Sequence, residues 1–519
     1  MRHFLGIDIG TSGARAVVIR QDGRIAASAE EAYPLSTPHP LWSEQHPEHW
    51  WRATQAAIRG VLAHLALDQV EALGLTGQMH SLVMLDERGE VLRPAILWND
   101  QRTAAQCAAL TRRIGETRVV AETCNPLLTG FTAPKIAWVR EHEPGTYARM
   151  RRLLLPKDYI RYRLTGAFAT DVSDASGTSL LNVPKRAWSR LMLDALELTD
   201  EALPEVFESP QVTGHVTQAA AHATGLLAGT PVVAGAGDQA AGAVGAGIVR
   251  PGAVCVSLGT SGVVFAFART PATDARLRTH TFCHAVPDKW HVMGVMLSAG
   301  GSFRWWRDVL TPGGGGSVAP GEDDRAWSYA ELARAAAKTP AGADGLIFLP
   351  YLSGERTPHP DPLARGAFIG LTTRHTRAHM TRAVLEGVAF GLRDSLEILR
   401  EMGVEAGEIR LTGGGARSQP WRQILADVFQ RDVTMLEADE GPAFGAALLA
   451  SVGAGAFSSV ESACETAVRT KASTAPIAAH LARYIPAYQR FRALYPSLCE
   501  DFARASEGYG TGPDTGGCA

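Results

Sequence analysis

Asp8 ends an apolar run that starts at Phe4, and Gly10-Thr11-Ser12-Gly13 follows almost at once. A Gly/Ser/Thr loop leaving a strand presents backbone N–H groups with no side chains in the way, and such nests bind phosphate oxygens. A carboxylate at the same strand end could hold Mg²⁺ or its water shell beside those phosphates. The pattern recurs: Ala253 to Leu258 runs into Gly259-Thr260-Ser261-Gly262. Two such loops facing each other across a cleft would clamp a nucleotide tail from both sides. None of the six lysines follows a glycine, so the P-loop solution is excluded. Asp238 closes a second apolar stretch, Val232 to Gly237. A carboxylate in such surroundings is costly to bury unless it has a partner or a task. One task is to take the proton from an attacking hydroxyl, as general base. The plain alternatives are a turn-capping Asp8 and a structural Asp238 bonded to backbone N–H groups. Gly235-x-Gly237-x-x-Ala240 fits a dinucleotide fingerprint only loosely, because Asp238 sits inside it and no acidic residue lies about 20 positions on to hold a ribose.

These residues need elements to position them. Phe4–Ile9 and Val17–Ile19 read as a hairpin whose tight loop carries Gly10–Gly13, and Asp22-Gly23 is a second turn signal. Residues 46–67 have helical spacing, with Trp50, Ala53, Ala57, Ile58, Val61 and Leu62 on one face. Val70–Leu75, Leu82–Leu85 and Leu92–Trp98 read as strands, and Gly77-Gln78-Met79-His80 as the loop that ends the first of them. Glu408–Thr412 is a further strand, running into Gly413-Gly414-Gly415, and Pro442–Val452 is a small-residue helix suited to tight packing. Strands alternating with helices predict an α/β fold. The repeated Gly-Thr-Ser-Gly loop, placed about half a chain apart, predicts two structurally related halves. Trp98 and Trp138 read as core aromatics, and Lys135 as a partner for a carboxylate on its own helix. The Gly-rich stretch 311–324 reads as a flexible surface loop, and 506–519 as a disordered tail.

The chain has 519 residues, too many for one core, so two large domains are expected. It carries 50 basic against 53 acidic residues, which leaves no basic field to attract nucleic acid. Seven widely spaced cysteines without a Cys-x-x-Cys pair argue against a disulfide framework or a zinc ribbon and for the cytoplasm. No signal peptide is visible. The most apolar long stretch, 231–249, is interrupted by Asp238 and five glycines, so no membrane span is expected.

Longer patterns resemble the FGGY family of carbohydrate kinases. Phe131-Thr132-Ala133-Pro134-Lys135-Ile136-Ala137-Trp138-Val139-Arg140-Glu141-His142 is similar to the first family signature. Gly366–Leu371 with His379–Glu386 is similar to the second. Within the family, 39–45, 77–80, 97–100, 155–159 and 349–356 resemble the bacterial xylulokinases. The resemblance runs from Gly6 to about Tyr495. It implies a two-domain actin/hexokinase-like (ribonuclease H-like) α/β fold with the active site in the interdomain cleft. The expected division is 1–249 (sugar site and base), 250–495 (ATP site) and a C-terminal extension, 496–519. The implied reaction is transfer of a phosphoryl group from ATP, with Mg²⁺, to the terminal hydroxyl of D-xylulose. The implied roles are Asp238 as catalytic base and Asp8 at the Mg²⁺ site. Met79, His80, Asp238 and Gln239 would contact the sugar. Thr11 and Ser12, Gly259 and Thr260, and Gly414, Gly415 and Ser418 would contact phosphates and ATP. Gln239 departs from the Asn of xylulokinases and matches the Gln of glycerol kinases, which bears on sugar preference. Another FGGY sugar or polyol kinase, acting on ribulose, arabinitol or glycerol, is the alternative enzyme. A non-catalytic sugar sensor is the alternative of another class, and the absence of room for a helix-turn-helix before Gly10 speaks against it. A homodimer is compatible with the family, though no stripe in the sequence argues for one.

Overall fold

A computed structural model describes residues 2–64, 70–311, 327–437 and 441–507. Residues 312–324 of the Gly-rich stretch and 508–519 of the tail therefore lie outside the described residues.

The first half is built on one mixed sheet. Strands β1 (His3–Ile9) and β2 (Gly13–Arg20) form the expected hairpin, and β3 (Ile25–Ala32) returns beside β2. The β2–β3 turn needs Gly23, whose φ is 82°. Helix α1 (Pro47–Leu62) leads to β4 (Val70–Gly77), which lies parallel to β1. Helix α1 ends short of the expected 67. Helices α2 (Thr132–His142), α3 (Pro156–Thr165) and α4 (Val172–Ser176) follow. Strands β5 (Val212–His215), β6 (Pro231–Val233) and β7 (Ala236–Gly237) complete the sheet, in the order β5-β6-β4-β1-β2-β3 with β7 also against β4. Helix α5 (Asp238–Gly245) leaves β7 directly. Of the expected strand 92–98, only Ala95–Ile96 is paired as one.

The second half repeats the plan. Strands β8 (Gly252–Leu258) and β9 (Gly262–Ala268) form its hairpin, and β10 (His280–Cys283) and β11 (Trp290–Met296) follow. Helices α6 (Gly300–Leu310) and α7 (Arg377–Glu401) precede β12 (Ala406–Thr412), which lies parallel to β8. Then come α8 (Gln419–Phe429), β13 (Val433–Leu436), α9 (Gly441–Gly453) and β14 (Thr470–Thr474). The sheet order is β10-β11-β9-β8-β12-β13-β14. Three antiparallel strands followed by two parallel ones (β3-β2-β1-β4-β6 and β11-β9-β8-β12-β13) occur in both sheets. The halves are therefore related in topology, as the repeated loop predicts.

Period-two alternation explains how the sheets pack. Leu5, Ile7 and Ile9 face a core shared with Trp50, Ile58 and Val61 of α1. Phe4, Val17 and Ile19 face the opposite way, into a core shared with Ala443, Ala447 and Leu448 of α9. That second core also holds Ala240 and Val244 of α5, and Cys255, Phe265 and Phe267 of the second sheet. Helices α5 and α9 thus fill the space between the sheets. A Cβ on Gly6 would stand 1.9 Å from the Ala443 carbonyl oxygen, and one on Gly445 would stand 1.8 Å from that of Ala241. The small residues of α9 let its backbone touch both β1 and α5.

Candidate active site

Each hairpin ends at the seam. In the first loop Gly10 N–H donates to the Gly13 carbonyl at 3.0 Å, closing the turn. The Tyr33 hydroxyl donates to the carbonyls of Gly10 and, at 3.1 Å, Gly13. Gln45 Nε2 donates to the Thr11 carbonyl at 2.7 Å, and Gln78 Nε2 donates to Gln45 Oε1 at 3.1 Å. Trp98 Nε1 donates to Thr11 Oγ1 at 3.0 Å, and its ring is 36% exposed. Trp98 is therefore not a core aromatic, contrary to expectation. It lies part-exposed beside the loop, with its indole N–H on the Thr11 hydroxyl. Trp138 is 7% exposed and belongs to the core, as expected. With so many partners on its carbonyls, the first loop is fixed, while Ser12 stays exposed.

The second loop, with Gly259 and Thr260 exposed, rests on the start of α6. Gly300 N–H donates to the Gly259 carbonyl, and Ala299 and Gly301 N–H donate to that of Thr260, each at 2.9 Å. A Cβ on Gly300 would lie 2.4 Å from the Gly259 carbonyl oxygen. The run Ala299-Gly300-Gly301 was a readable signal for this support. Gly415 packs on Leu258, the residue before the second loop. Ser418 Oγ is buried without a hydrogen-bond partner, at the start of α8. Gly414 has open space around it.

Asp238 opens α5 at one end of a cavity of about 200 Å³. The cavity is also lined by Gln239 and, from the second half, by Ser257, Thr412 and Gly413. Burial pushes the Asp238 carboxyl up to about 6, against the hydrogen bonds it receives from Gln239. Asp8 is pushed up to about 7, first by burial and then by the charge of Asp238. Two carboxylates thus repel each other across the end of the first sheet, and Asp8 Oδ1 is buried with no hydrogen-bond partner. An orphaned anionic oxygen beside a second carboxylate fits a divalent cation. Among the described residues no three His, Cys, Asp or Glu side chains cluster as an all-protein cage. Mg²⁺ keeps several waters and phosphate oxygens as ligands, so one or two carboxylates are enough to hold it.

Met79 and His80 follow β4. Met79 is buried, and a Cβ on Gly237, just before Asp238, would lie 2.9 Å from Met79 Cγ. His80 takes φ 67°, which is strained for a residue with a side chain. The backbone is held there by two donors on the His80 carbonyl: Thr132 Oγ1 at 2.9 Å and Lys135 Nζ at 2.9 Å. Lys135 also donates to the Gly130 carbonyl at 2.7 Å. No carboxylate of its own helix pairs with it, so that expectation is corrected. Buried Lys135 has carbonyls as its hydrogen-bond acceptors, and burial holds its ammonium well below its usual range. His80 Nδ1 lies 2.6 Å from the Gly177 carbonyl, and burial holds the ring well below its ordinary pKa. A neutral ring with Nδ1–H on a carbonyl leaves Nε2 as an acceptor for a hydroxyl.

Comparison with known proteins agrees with this architecture. Residues 3–245 match the N-terminal domain of the FGGY family of carbohydrate kinases, and 254–454 match its C-terminal domain. The chain is 43% identical to a xylulose kinase of Escherichia coli over 95% of this chain and 99% of the relative. It is 38% identical to one of Bacillus subtilis over 95% and 97%. The solved xylulose kinase of Rhodospirillum rubrum superposes with a TM-score of 0.88 at 33% identity, covering 97% of this chain and 100% of that one.

Proposed function

The chain belongs to the FGGY family of carbohydrate kinases, and from that membership and the site we infer that it is a xylulose kinase. It transfers the γ-phosphoryl group of ATP to the terminal hydroxyl of D-xylulose, giving D-xylulose 5-phosphate and ADP. The observation that carries the mechanism is Asp238. It is a carboxylate raised to about 6, lining a cavity that Ser257, Thr412 and Gly413 of the second half also line.

Phosphoryl transfer asks for alignment, charge neutralisation and a home for the hydroxyl proton. In our proposal Asp238 accepts that proton, and a base poised near neutral pH is ionised yet still basic enough to do so. Neutral His80 accepts a sugar hydroxyl at Nε2, and Met79 and Gln239 bound the sugar. Backbone N–H groups of Thr11, Ser12, Gly259 and Thr260 receive phosphate oxygens, and Gly414, Gly415 and Ser418 border the nucleoside. Asp8 would hold Mg²⁺, which supplies positive charge to the transferring phosphoryl group. Closure of the halves excludes water as a competing acceptor.

We also propose the division 1–249 and 250–495, with 496–519 as an extension. The cytoplasm is our proposed location. None of the six described cysteines forms a disulfide, which supports it, and among the described residues no helix is long and apolar enough to cross a membrane.

The test is Asp238→Asn. Loss of a general base typically lowers the rate by about 10²–10⁴, and a variant with near-wild-type kcat rejects the assignment. A substrate panel of xylulose, ribulose, arabinitol and glycerol in an ADP-coupled assay tests the sugar. The highest kcat/KM is expected for xylulose.

A further inference from the structure

The mechanism above leaves unused a buried cluster of charged side chains beside α4. Lys157, Asp158, Arg161, Asp171 and Asp174 are all fully buried. Lys157 Nζ lies 2.6 Å from Asp158 Oδ1, 3.0 Å from Asp171 Oδ1 and 3.4 Å from Asp174 Oδ2. Arg161 lies 3.6 Å from Asp158 and donates to the carbonyls of Val233, at 2.6 Å, and Ala234. Placing five ionisable groups out of water is expensive, and apolar side chains of similar volume often serve stability as well or better. The cluster therefore calls for another explanation.

Its contacts lead to α4. Asp171 Oδ2 caps that helix, accepting from Ser173 N at 2.8 Å and from Ser173 Oγ at 2.5 Å. Ser209 Oγ donates to the same oxygen at 3.0 Å. The Ser173 hydroxyl has thus committed its proton to Asp171, and its lone pair accepts the N–H of Gly237 at 3.1 Å. Gly237 immediately precedes Asp238. Just past the same helix, the Gly177 carbonyl holds His80 Nδ1 at 2.6 Å. One short helix therefore grips the peptide before Asp238 at one point and the sugar-side histidine at another.

We propose that Ser173, oriented by Asp171 against Lys157, is a positioning residue for Asp238. By fixing the Gly237 N–H it sets the direction in which the Asp238 carboxylate leaves β7. The inference rests on Asp238 being the base. The geometry makes the arrangement stiff: Ser173 and Ser209 donate to one Asp171 oxygen, and Lys157 holds the other at 3.0 Å.

The experiment compares Ser173→Ala, Ser173→Thr, Asp171→Asn, Asp238→Asn and the double variant Ser173→Ala/Asp238→Asn in the full chain. Steady-state kinetics with xylulose and ATP are read beside thermal unfolding. Ser173→Ala is expected to lower kcat by about 10–100-fold, the scale of a misaligned reacting group, with KM for xylulose within about twofold. Ser173→Thr, which keeps the hydroxyl, is expected to recover most of the loss, and Asp171→Asn to fall between. In the Asp238→Asn background, Ser173→Ala is expected to cost less than about twofold more, because residues acting as a unit are not additive. A general loosening of α4 would free His80 as well and raise KM for xylulose together with the loss of kcat, and that result overturns the inference. So does full additivity in the double variant, or wild-type kcat in Ser173→Ala while Asp238→Asn is inactive. Wild-type kcat in Asp238→Asn removes the base assignment itself.

Discussion

Gly445→Ala tests the seam between the halves. The added methyl would lie 1.8 Å from the Ala241 carbonyl oxygen and 3.0 Å from Gly245 N. Both atoms are backbone, so no rotamer can yield. A carbon–oxygen contact of about 3.3 Å requires α5 and α9 to part by about 1.5 Å. Overpacking typically costs about 1–3 kcal/mol, and a backbone-on-backbone clash belongs at the upper end. At about 2 °C per kcal/mol for a large cooperative unit, Tm should fall by about 6 °C. Helix α5 begins with Asp238, and a displacement on the order of 1 Å at a reacting group can cost about 10²-fold in rate. Stability and kcat should therefore fall together, the first read by calorimetry and the second by a coupled assay. Gly145→Ala is the control, since a Cβ there meets nothing within 4 Å, and it should leave both unchanged. A Gly445→Ala protein with the Tm and kcat of the parent refutes the direct contact of the two helices.

Three other outcomes follow from the site. The kcat/KM for xylulose should rise with pH through apparent pKa values between about 6 and 7, because protonated Asp238 cannot accept a proton and protonated Asp8 cannot hold the cation. A limb near pH 4 would show that burial sets neither carboxyl. Asp8→Asn should raise the Tm of the ligand-free protein while activity and its Mg²⁺ dependence are lost. A carboxyl pushed up to about 7 binds protons more tightly in the fold, so its charge costs stability progressively from about pH 4 to 7. The gain in calorimetry should therefore be larger at pH 8 than at pH 4.5, and equal gains would contradict the burial of that charge. Lys135→Met removes the side-chain donor to the Gly130 carbonyl and leaves the His80 carbonyl with Thr132 alone. It should cost about 1–3 kcal/mol and raise KM for xylulose more than KM for ATP in a two-substrate titration. Equal changes would detach Lys135 from the sugar side.

The hairpins and their loops were legible because apolar alternation ends at once in glycine, a local signal at both Gly10 and Gly259. The halves' likeness was legible because the same tetrapeptide closes both hairpins. Lys135 was misread because its acceptors, Gly130 and His80, are carbonyls, and backbone acceptors leave no mark in composition. Trp98 was misread because a residue type tells how apolar a side chain is but not which end needs a partner. The role of α4 was invisible for a related reason: Ser173 meets Gly237 only after the intervening chain has folded between them. The small residues of α9 announced close packing, but not that the packing partner would be the opposite sheet.

That exchange has a consequence during synthesis. One face of the first sheet, with Phe4, Val17 and Ile19, is covered by residues 443–450. A ribosome working from the N-terminus completes β1 through β7 long before α9 emerges. At roughly 5–20 residues per second, the interval is on the order of ten to forty seconds. Throughout it, an apolar sheet face lined by Gly6 and Gly74 is open to whatever hydrophobic chain is nearby. The nascent first half is thus expected to be prone to aggregation over that interval, and a stop codon shortly before residue 441 would leave the face uncovered permanently.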